Sequence, residues 1–509
     1  MQTVRSGIGL AALVLALAPH CALGAGAAQE ATGAYGYARW WTAGEPREIP
    51  QRLSYPTATG LIATLSTSGA GGTADQPFFQ PLGGNGRACV TCHQPADGMS
   101  LSVETIRERW RATQGHDPLF AAIDGSDCPS LPQEQESSHT LLLSRGLFRI
   151  ARPWPPRDGA GRPIDPQFTI EVIRDPTGCN GDARYGLHGP QPMISVYRRP
   201  RPATNLKYVL AVGFPFEPKT GLPLPLDPET GLQVSGNLLA DMRATTLKGQ
   251  ALDALRSHLQ FMGEVPPATL AGIIAFESGL YTAASVDDRA GPLDADGAEG
   301  GPEALAAHRG GELQYGGQPV WQEFLAWKDG STANTQLSET QREFRRSVAR
   351  GAGLFANRNF LVRDSAGITN MGFGNPVRNS CAFCHNMQRT GMDVAPGQVD
   401  IGIANQPWAS PSEHMPLFKL TCLAPYAPHP HLGRVVYTQD PGYALTTGKC
   451  IDIGKITAQS MRGLAARAPY FSDGSAQTLR DVVDYYDRRY HIGLSEQDKT
   501  DLANLMSVL

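Results

Sequence analysis

Two short strings constrain this chain more than any other feature: Cys89-Val90-Thr91-Cys92-His93 and Cys381-Ala382-Phe383-Cys384-His385. Each is a Cys-x-x-Cys-His, the attachment motif of c-type haem. The thiols are spaced to reach the two vinyl groups on one porphyrin edge, and the adjacent histidine swings beneath the ring to ligate iron. A redox Cys-x-x-Cys or half of a zinc site gives no reason for histidine directly after the second cysteine, twice in one chain. Two covalent haem c groups are therefore expected, held by Cys89, Cys92, Cys381 and Cys384, with His93 and His385 as proximal iron ligands. The strings begin 292 residues apart in a chain of 509. That is too far for one small cytochrome and suits two domains, each folded round a haem.

The other cysteines point to an oxidising compartment. Residues 1–26 read as a secretory signal, with Arg5 at the start, an apolar run from Ile8 to Ala18, and small residues from Ala22 to Ala27. Pro19 and His20 end the run too early for a membrane anchor, and no later stretch is long enough to span a bilayer. The mature chain is expected to be exported and soluble. Losing the signal removes Cys21, one of nine cysteines, and leaves Cys128, Cys179, Cys422 and Cys450 outside the two motifs. The simplest connectivity is one disulfide per half, Cys128 with Cys179 and Cys422 with Cys450; four cysteines permit two other pairings. Only 18% of residues are charged, and 44 Lys and Arg stand against 48 Asp and Glu. No field of that size gathers nucleic acid, so a nucleic-acid partner is excluded.

Helical periodicity appears in three places. Glu339 to Phe355 carries Phe344, Val348, Leu354 and Phe355 on a basic background, and Gln250 to Gly279 carries Leu252, Leu255, Leu259, Ile273, Ile274 and Phe276. Near the end, Thr478 with Asp481 and Ser495 with Asp498 read as capping boxes opening two helices. Leu479, Val482, Val483 and Tyr486 form the apolar stripe of the first, so Tyr486 is expected to face the core. Residues 153–235 are rich in proline, and Leu222 to Leu232 reads as an extended loop. Asp294 and Asp296 lie among glycines with a spacing that fits no defined calcium loop. The expected fold is mainly α, two cytochrome c-like haem domains with long irregular loops and little β structure. The expected divisions are a signal at 1–26, an N-terminal haem domain at 27–265, an interdomain segment at 266–335 and a C-terminal haem domain at 336–509.

Several strings resemble those of the bacterial di-haem cytochrome c peroxidases and the related MauG-like enzymes. They are Asn85-Gly86-Arg87 before the first motif, Val196-Tyr197-Arg198-Arg199-Pro200, and Arg350-Gly351 with Leu354-Phe355 before the second motif. The most specific are Met461-Arg462-Gly463-Leu464 and Ala468-Pro469-Tyr470-Phe471-Ser472-Asp473-Gly474-Ser475, followed by Thr478-Leu479 and Val482-Val483. The resemblance implies a periplasmic enzyme whose first haem, on His93, meets peroxide or dioxygen while the second, on His385, passes electrons. It implies a calcium ion between the domains. It also implies a sixth ligand for the second haem from the helix after Asp473-Gly474: a Met in the peroxidases, a Tyr in MauG-like enzymes. Tyr486 holds that place here, with His491 as the competing ligand. In the family a Trp-Asp-Gly-Arg string bridges the haems. The best register sets Phe214-Pro215-Phe216-Glu217 there, without the Trp, and Glu217 and Asp241 are the nearest candidates for the acid–base groups that peroxide cleavage needs.

Three functions are compatible with these residues. The first is a peroxidase-like oxidoreductase reducing hydrogen peroxide with electrons from a small redox protein. The second is a MauG-like or rubber-oxygenase-like enzyme using peroxide or dioxygen to oxidise an organic or protein substrate, which Tyr486 and the missing Trp favour. The third is a non-catalytic electron-transfer cytochrome. It requires a strong ligand opposite His93, for which Met99, His116, His139 and His188 are the candidates.

Overall fold

Serine and threonine caps set the frame of the C-terminal part. Ser338, Thr478 and Ser495 each accept from the third backbone N–H of the helix they open, and Gln341, Asp481 and Asp498 bond back to the cap N–H. These reciprocal bonds satisfy donors that a helix start otherwise leaves open. The helices run Glu339–Asn357, Leu479–Tyr490 and Glu496–Ser507, as the sequence leads one to expect. The first and third lie in close contact. Arg350 and Ser347 on one bond Asp501 on the other at 2.8 and 2.6 Å, and a Cβ on Gly351 would stand 2.2 Å from the Asp501 carbonyl oxygen. Phe344, Val348, Phe355, Leu502, Leu505 and Met506 fill the core between them.

The computed structural model describes residues 38–211 and 220–307 save Leu224, Leu232, Gln233 and Gly236, then 322–330, 334, 336–385 save Met371 and Phe373, and 397–509. The expected signal at 1–26 and the string Phe214 to Glu217 lie outside these residues. So do Leu224 and Leu232 of the expected loop Leu222 to Leu232.

The fold is not mainly α. About 29% is helix and 18% strand, close to the mix of an ordinary globular protein. The strands form several small antiparallel sheets. Three of the strands, Phe148–Pro153, Phe168–Arg174 and Met193–Arg198, fall on or beside the proline-rich stretch. The signal was present: Phe168-Thr169-Ile170-Glu171 alternates buried and exposed residues, and Met193–Arg198 is rich in residues that suit a pleated surface. Prolines in this stretch punctuate strands rather than mark one continuous loop.

Arg39–Leu509 forms one contact unit, and strands from distant parts of the chain lock it together. The hairpin Arg52–Thr57 and Gly60–Ser66 pairs with Leu280–Asp287, with Ile62 opposite Ala284. Phe168–Arg174 pairs with Leu417–Cys422, with Ile170 opposite Leu420. Both disulfides are present, Cys128–Cys179 and Cys422–Cys450. Asp296 is occupied by Arg345 at 2.5 Å and by Asn334, and no group of three or more His, Cys, Asp or Glu placed to hold a metal ion occurs among the described residues. No helix among them is long and apolar enough to cross a membrane.

Because the Gly351 contact is with backbone, the neighbour cannot rotate away. Gly351→Ala is expected to push the two helices apart and to lower unfolding free energy by about 1–3 kcal/mol, measured by denaturant titration.

Candidate functional site

The two Cys-x-x-Cys-His strings fold alike. Each begins as one turn of 3-10 helix, Cys89–Thr91 and Cys381–Phe383. The first cysteine's carbonyl accepts from the second cysteine and from the histidine, at 3.2 and 3.1 Å in one string and 3.2 and 3.0 Å in the other. Each histidine ring lies 6.3 Å from a phenylalanine that precedes its motif, Phe78 for His93 and Phe355 for His385. His93 Nδ1 donates to the Met99 carbonyl at 3.1 Å, which leaves the lone pair on Nε2, the arrangement a metal-ligating histidine needs. Burial holds the His93 imidazole neutral, its pKa drawn down to about 4. The four motif cysteines stand outside both disulfides.

Each motif borders a cavity that opens to solvent. About 1370 Å³ of empty space is lined by Cys89, Cys92 and His93 together with Ala254, His258 and Glu277. About 1530 Å³ is lined by Cys381, Cys384 and His385 together with Tyr486, Met461 and Met506. Paired thiols and an adjacent imidazole at the edge of a cavity fit a covalently attached haem at each site.

The walls of the two cavities are one design used twice. Before the first, an isolated bridge joins Leu238 to Ala244, Leu239 and Met242 have φ of 60° and 52°, and Thr246 caps the helix Leu247–Ser257. Before the second, a bridge joins Tyr470 to Ala476, Phe471 and Gly474 have φ of 64° and 62°, and Thr478 caps Leu479–Tyr490. All these features recur 232 residues apart. In that register Val482 corresponds to Gln250, Tyr486 to Ala254 and Tyr490 to His258, and every one of these six residues lines its cavity. A second helix follows in each half, Pro267–Ser278 and Glu496–Ser507. It contributes Ile273 and Glu277 to one wall and Leu502 and Met506 to the other.

The shared plan makes the differences legible. Tyr485 donates to the Ile401 carbonyl and Tyr490 bonds Ser365, both at 2.8 Å. The Tyr486 hydroxyl has no hydrogen-bond partner among the described residues, although burial, then Tyr490, raises its pKa well above the ordinary tyrosine value. His491 is exposed and caps the helix in the left-handed region. Met461 and Met506, which sequence reasoning did not weigh, also line this cavity. In the first cavity the place of Tyr486 is taken by Ala254, which has no ligating group.

The sequence candidates opposite His93 are placed elsewhere. His139 has both ring nitrogens on carbonyls, Gly125 at 2.7 Å and Gln133 at 2.9 Å. His116 and His188 are exposed, and Met99 serves through its carbonyl. His258 does line the cavity, with Nδ1 bound to Asp124 at 2.5 Å; the buried Arg87 grips the same carboxylate.

Of the two proposed acid–base groups, Glu217 lies outside the described residues. Asp241 is brought into an ion network: Arg198 and Arg243 each reach it at 2.7 Å, and Arg152 lies 3.6 Å away. Burial opposes its charge, but these guanidiniums hold it far below the usual carboxylate range. It can orient Arg198 and Arg243 on the cavity wall, and it has no proton to give. Sequence reasoning missed Glu277. Its signal was a carboxylate on an apolar stripe, since Leu270, Ile273, Ile274 and Glu277 fall at i, i+3, i+4 and i+7 of one helix and all are buried. Burial raises the Glu277 carboxyl to about 8, so it carries a proton at neutral pH.

A carboxyl with a raised folded-state pKa binds its proton more tightly folded than unfolded. Its stabilising effect is full below the ordinary glutamate range and declines as pH rises from there to about 8, by about 1.4 kcal/mol per pH unit. Glu277→Gln is expected to flatten that decline in unfolding titrations between pH 5 and 8. A slope equal to wild type would show that Glu277 is already ionised at neutral pH.

No family model matches this chain, and no curated protein matches it. Six chains of solved structures do. One is described as a MauG-like protein associated with microbial copper homeostasis; it is 19% identical over 60% of this chain and 80% of that one, with a TM-score of 0.28.

Proposed function

We propose that the chain is a periplasmic di-haem c-type oxidoreductase that reduces hydrogen peroxide at the His93 site with electrons entering from a small redox protein through the His385 site. The observation that carries this reading is the duplicated wall with Tyr486 on one side and Ala254 on the other. A bound haem supplies the redox-active iron; whether it reacts or relays depends on whether its sixth position is filled. Ala254 brings no ligating group to the first cavity from the place where Tyr486 brings an uncommitted hydroxyl to the second, and His258, one turn further on, is held by Asp124 through Nδ1; a haem held by Cys89, Cys92 and His93 would supply iron chemistry beside that shorter wall residue. His93, anchored through Nδ1 on Met99, keeps Nε2 directed and unprotonated. Peroxide reduction consumes two electrons and two protons, and Glu277 holds a proton at its carboxyl on the wall of the first cavity. Asp241 acts as a positioning residue for Arg198 and Arg243.

One feature favours oxidation of an organic or protein substrate by peroxide or dioxygen instead. An anionic phenolate is a harder ligand than a thioether and stabilises oxidised iron, so ligation by Tyr486 would make the His385 site a poor acceptor for a high-potential donor. None of the four candidate ligands of the electron-transfer reading lines the first cavity; His258, which does, is the residue through which that reading would have to work.

The ferric protein is expected to show one high-spin and one low-spin haem by electron paramagnetic resonance, with peroxide altering the high-spin signal. Two unreactive low-spin haems would sink both enzyme readings. Tyr486→Met is expected to shift the low-spin signal, and an unaltered spectrum removes tyrosine ligation. Glu277→Gln is expected to lower peroxide turnover by about 10²-fold or more; turnover with a reduced small cytochrome separates the peroxidase from the substrate-oxidising alternative.

A further inference from the structure

Most buried arginines of this protein face carboxylates. Arg87 holds Asp124, Arg198 holds Asp241 and Asp440, and Arg243 holds Asp241 and Asp253. Three do not. Arg199 lines both cavities, Arg201 lines the first and Arg467 the second. Arg199 donates to the carbonyls of Arg145, at 3.0 Å, Leu101 and Arg467, the last at 2.9 Å. Arg201 donates to Thr457 and Ala458 carbonyls at 3.2 and 2.8 Å, and Arg467 to those of Ser460 and Arg462. No carboxylate forms an ion pair with any of the three among the described residues. Main-chain carbonyls orient a guanidinium without neutralising it. Arg199 Nε, Arg201 Nε and both N–H bonds of Arg467 Nη1 make no hydrogen bond among the described residues. Buried charges are normally paired, and three cations gathered along two adjoining cavities require anions.

We infer that Arg199, Arg201 and Arg467 form a carboxylate-binding site shared by the two cavities, whose ligands are the propionates of both haems, with Arg199 common to the two. This rests on the two-haem reading. The propionates are the anionic groups of a haem and lie on the porphyrin edge away from the vinyl carbons that the cysteines take. A guanidinium presents paired donors that match a carboxylate in its own plane. Burial, with repulsion from Arg467, lowers Arg199 to about 9 and Arg201 to about 10, which is the cost that a bound carboxylate relieves. With Arg199 shared, a change of charge on one haem is felt at the other.

The test uses the full-length holoprotein. Haem is counted first by the pyridine haemochromogen spectrum, and each haem's potential is then read by spectroelectrochemical titration, the two being told apart by spin state. Loss of a nearby cation destabilises the reduced haem. Arg201→Gln is therefore expected to lower chiefly the potential of the His93 haem, and Arg467→Gln chiefly that of the His385 haem, each with a shifted propionate-bending band in the resonance Raman spectrum. Arg201→Lys and Arg467→Lys keep the charge and are expected to give smaller downward shifts, which covers the case in which a glutamine variant fails to fold. Two haems per chain in every variant with wild-type potentials and Raman bands would overturn the proposal and leave the cluster a purely structural one. Wild-type protein without covalent haem would overturn the two-haem reading itself, a failure that the haem count alone identifies.

Discussion

A cavity inside a folded chain does not hold itself open; lining atoms that face empty space forfeit their dispersion contacts, and the surrounding chain tends to relax inward. Everything near the two motifs can be understood as bracing against that collapse. Arg87, two residues before Cys89, is fully buried and binds Asp124 and the carbonyls of Pro118 and Leu119, the last two at 2.6 Å. Asp124 in turn takes His258, whose carbonyl receives Asn85 at 2.8 Å. The first motif is thus tied to the end of the helix that forms the opposite wall. Around the second motif the brace is apolar packing: Ala382 belongs to the same core as Phe355, Leu502 and Met506, while Cys384 packs against Tyr486 and Phe360.

What could be read from the sequence divides along physical lines. Features set by a few neighbouring residues were legible: the helices Glu339–Asn357, Leu479–Tyr490 and Glu496–Ser507 and the Tyr486 stripe. The sheets were obscured because proline and glycine between strands resemble a continuous loop when the partners lie far off in sequence, as Ile170 and Leu420 do. The duplicated wall was hidden for a sharper reason. Left-handed backbone is usually announced by glycine, and Gly474 announces it in the second copy. Its counterpart in the first is Met242, and neither Leu239 nor Phe471 signals its positive φ. Glu277 and the three arginines required knowledge of burial and of partners, which no window of sequence contains.

The two classes of buried arginine have different consequences. Arg198 is closed on itself with Asp241 and Asp440, so burial is met inside the protein and the network serves as fixed scaffolding. Arg199, Arg201 and Arg467 have no carboxylate partner among the described residues and leave positive charge on the cavity walls. The two kinds stand side by side at Arg198, held by two carboxylates, and Arg199, held by main-chain carbonyls.

A duplicated cavity also narrows how the halves can differ. The backbone supplies the same turn, the same cap and the same pair of helices to each, so reactivity must be set by the side chains at corresponding positions. Ala254 against Tyr486 decides whether the wall helix carries a side-chain oxygen into the cavity. Glu277 and Gln250 stand on the walls where the other half has Leu502, Met506 and Val482, so the side whose wall helix carries Ala254 also carries a carboxyl and an amide. The His93 side thus joins a short wall residue to polar groups, and the His385 side joins a tyrosine to methionines and an apolar wall.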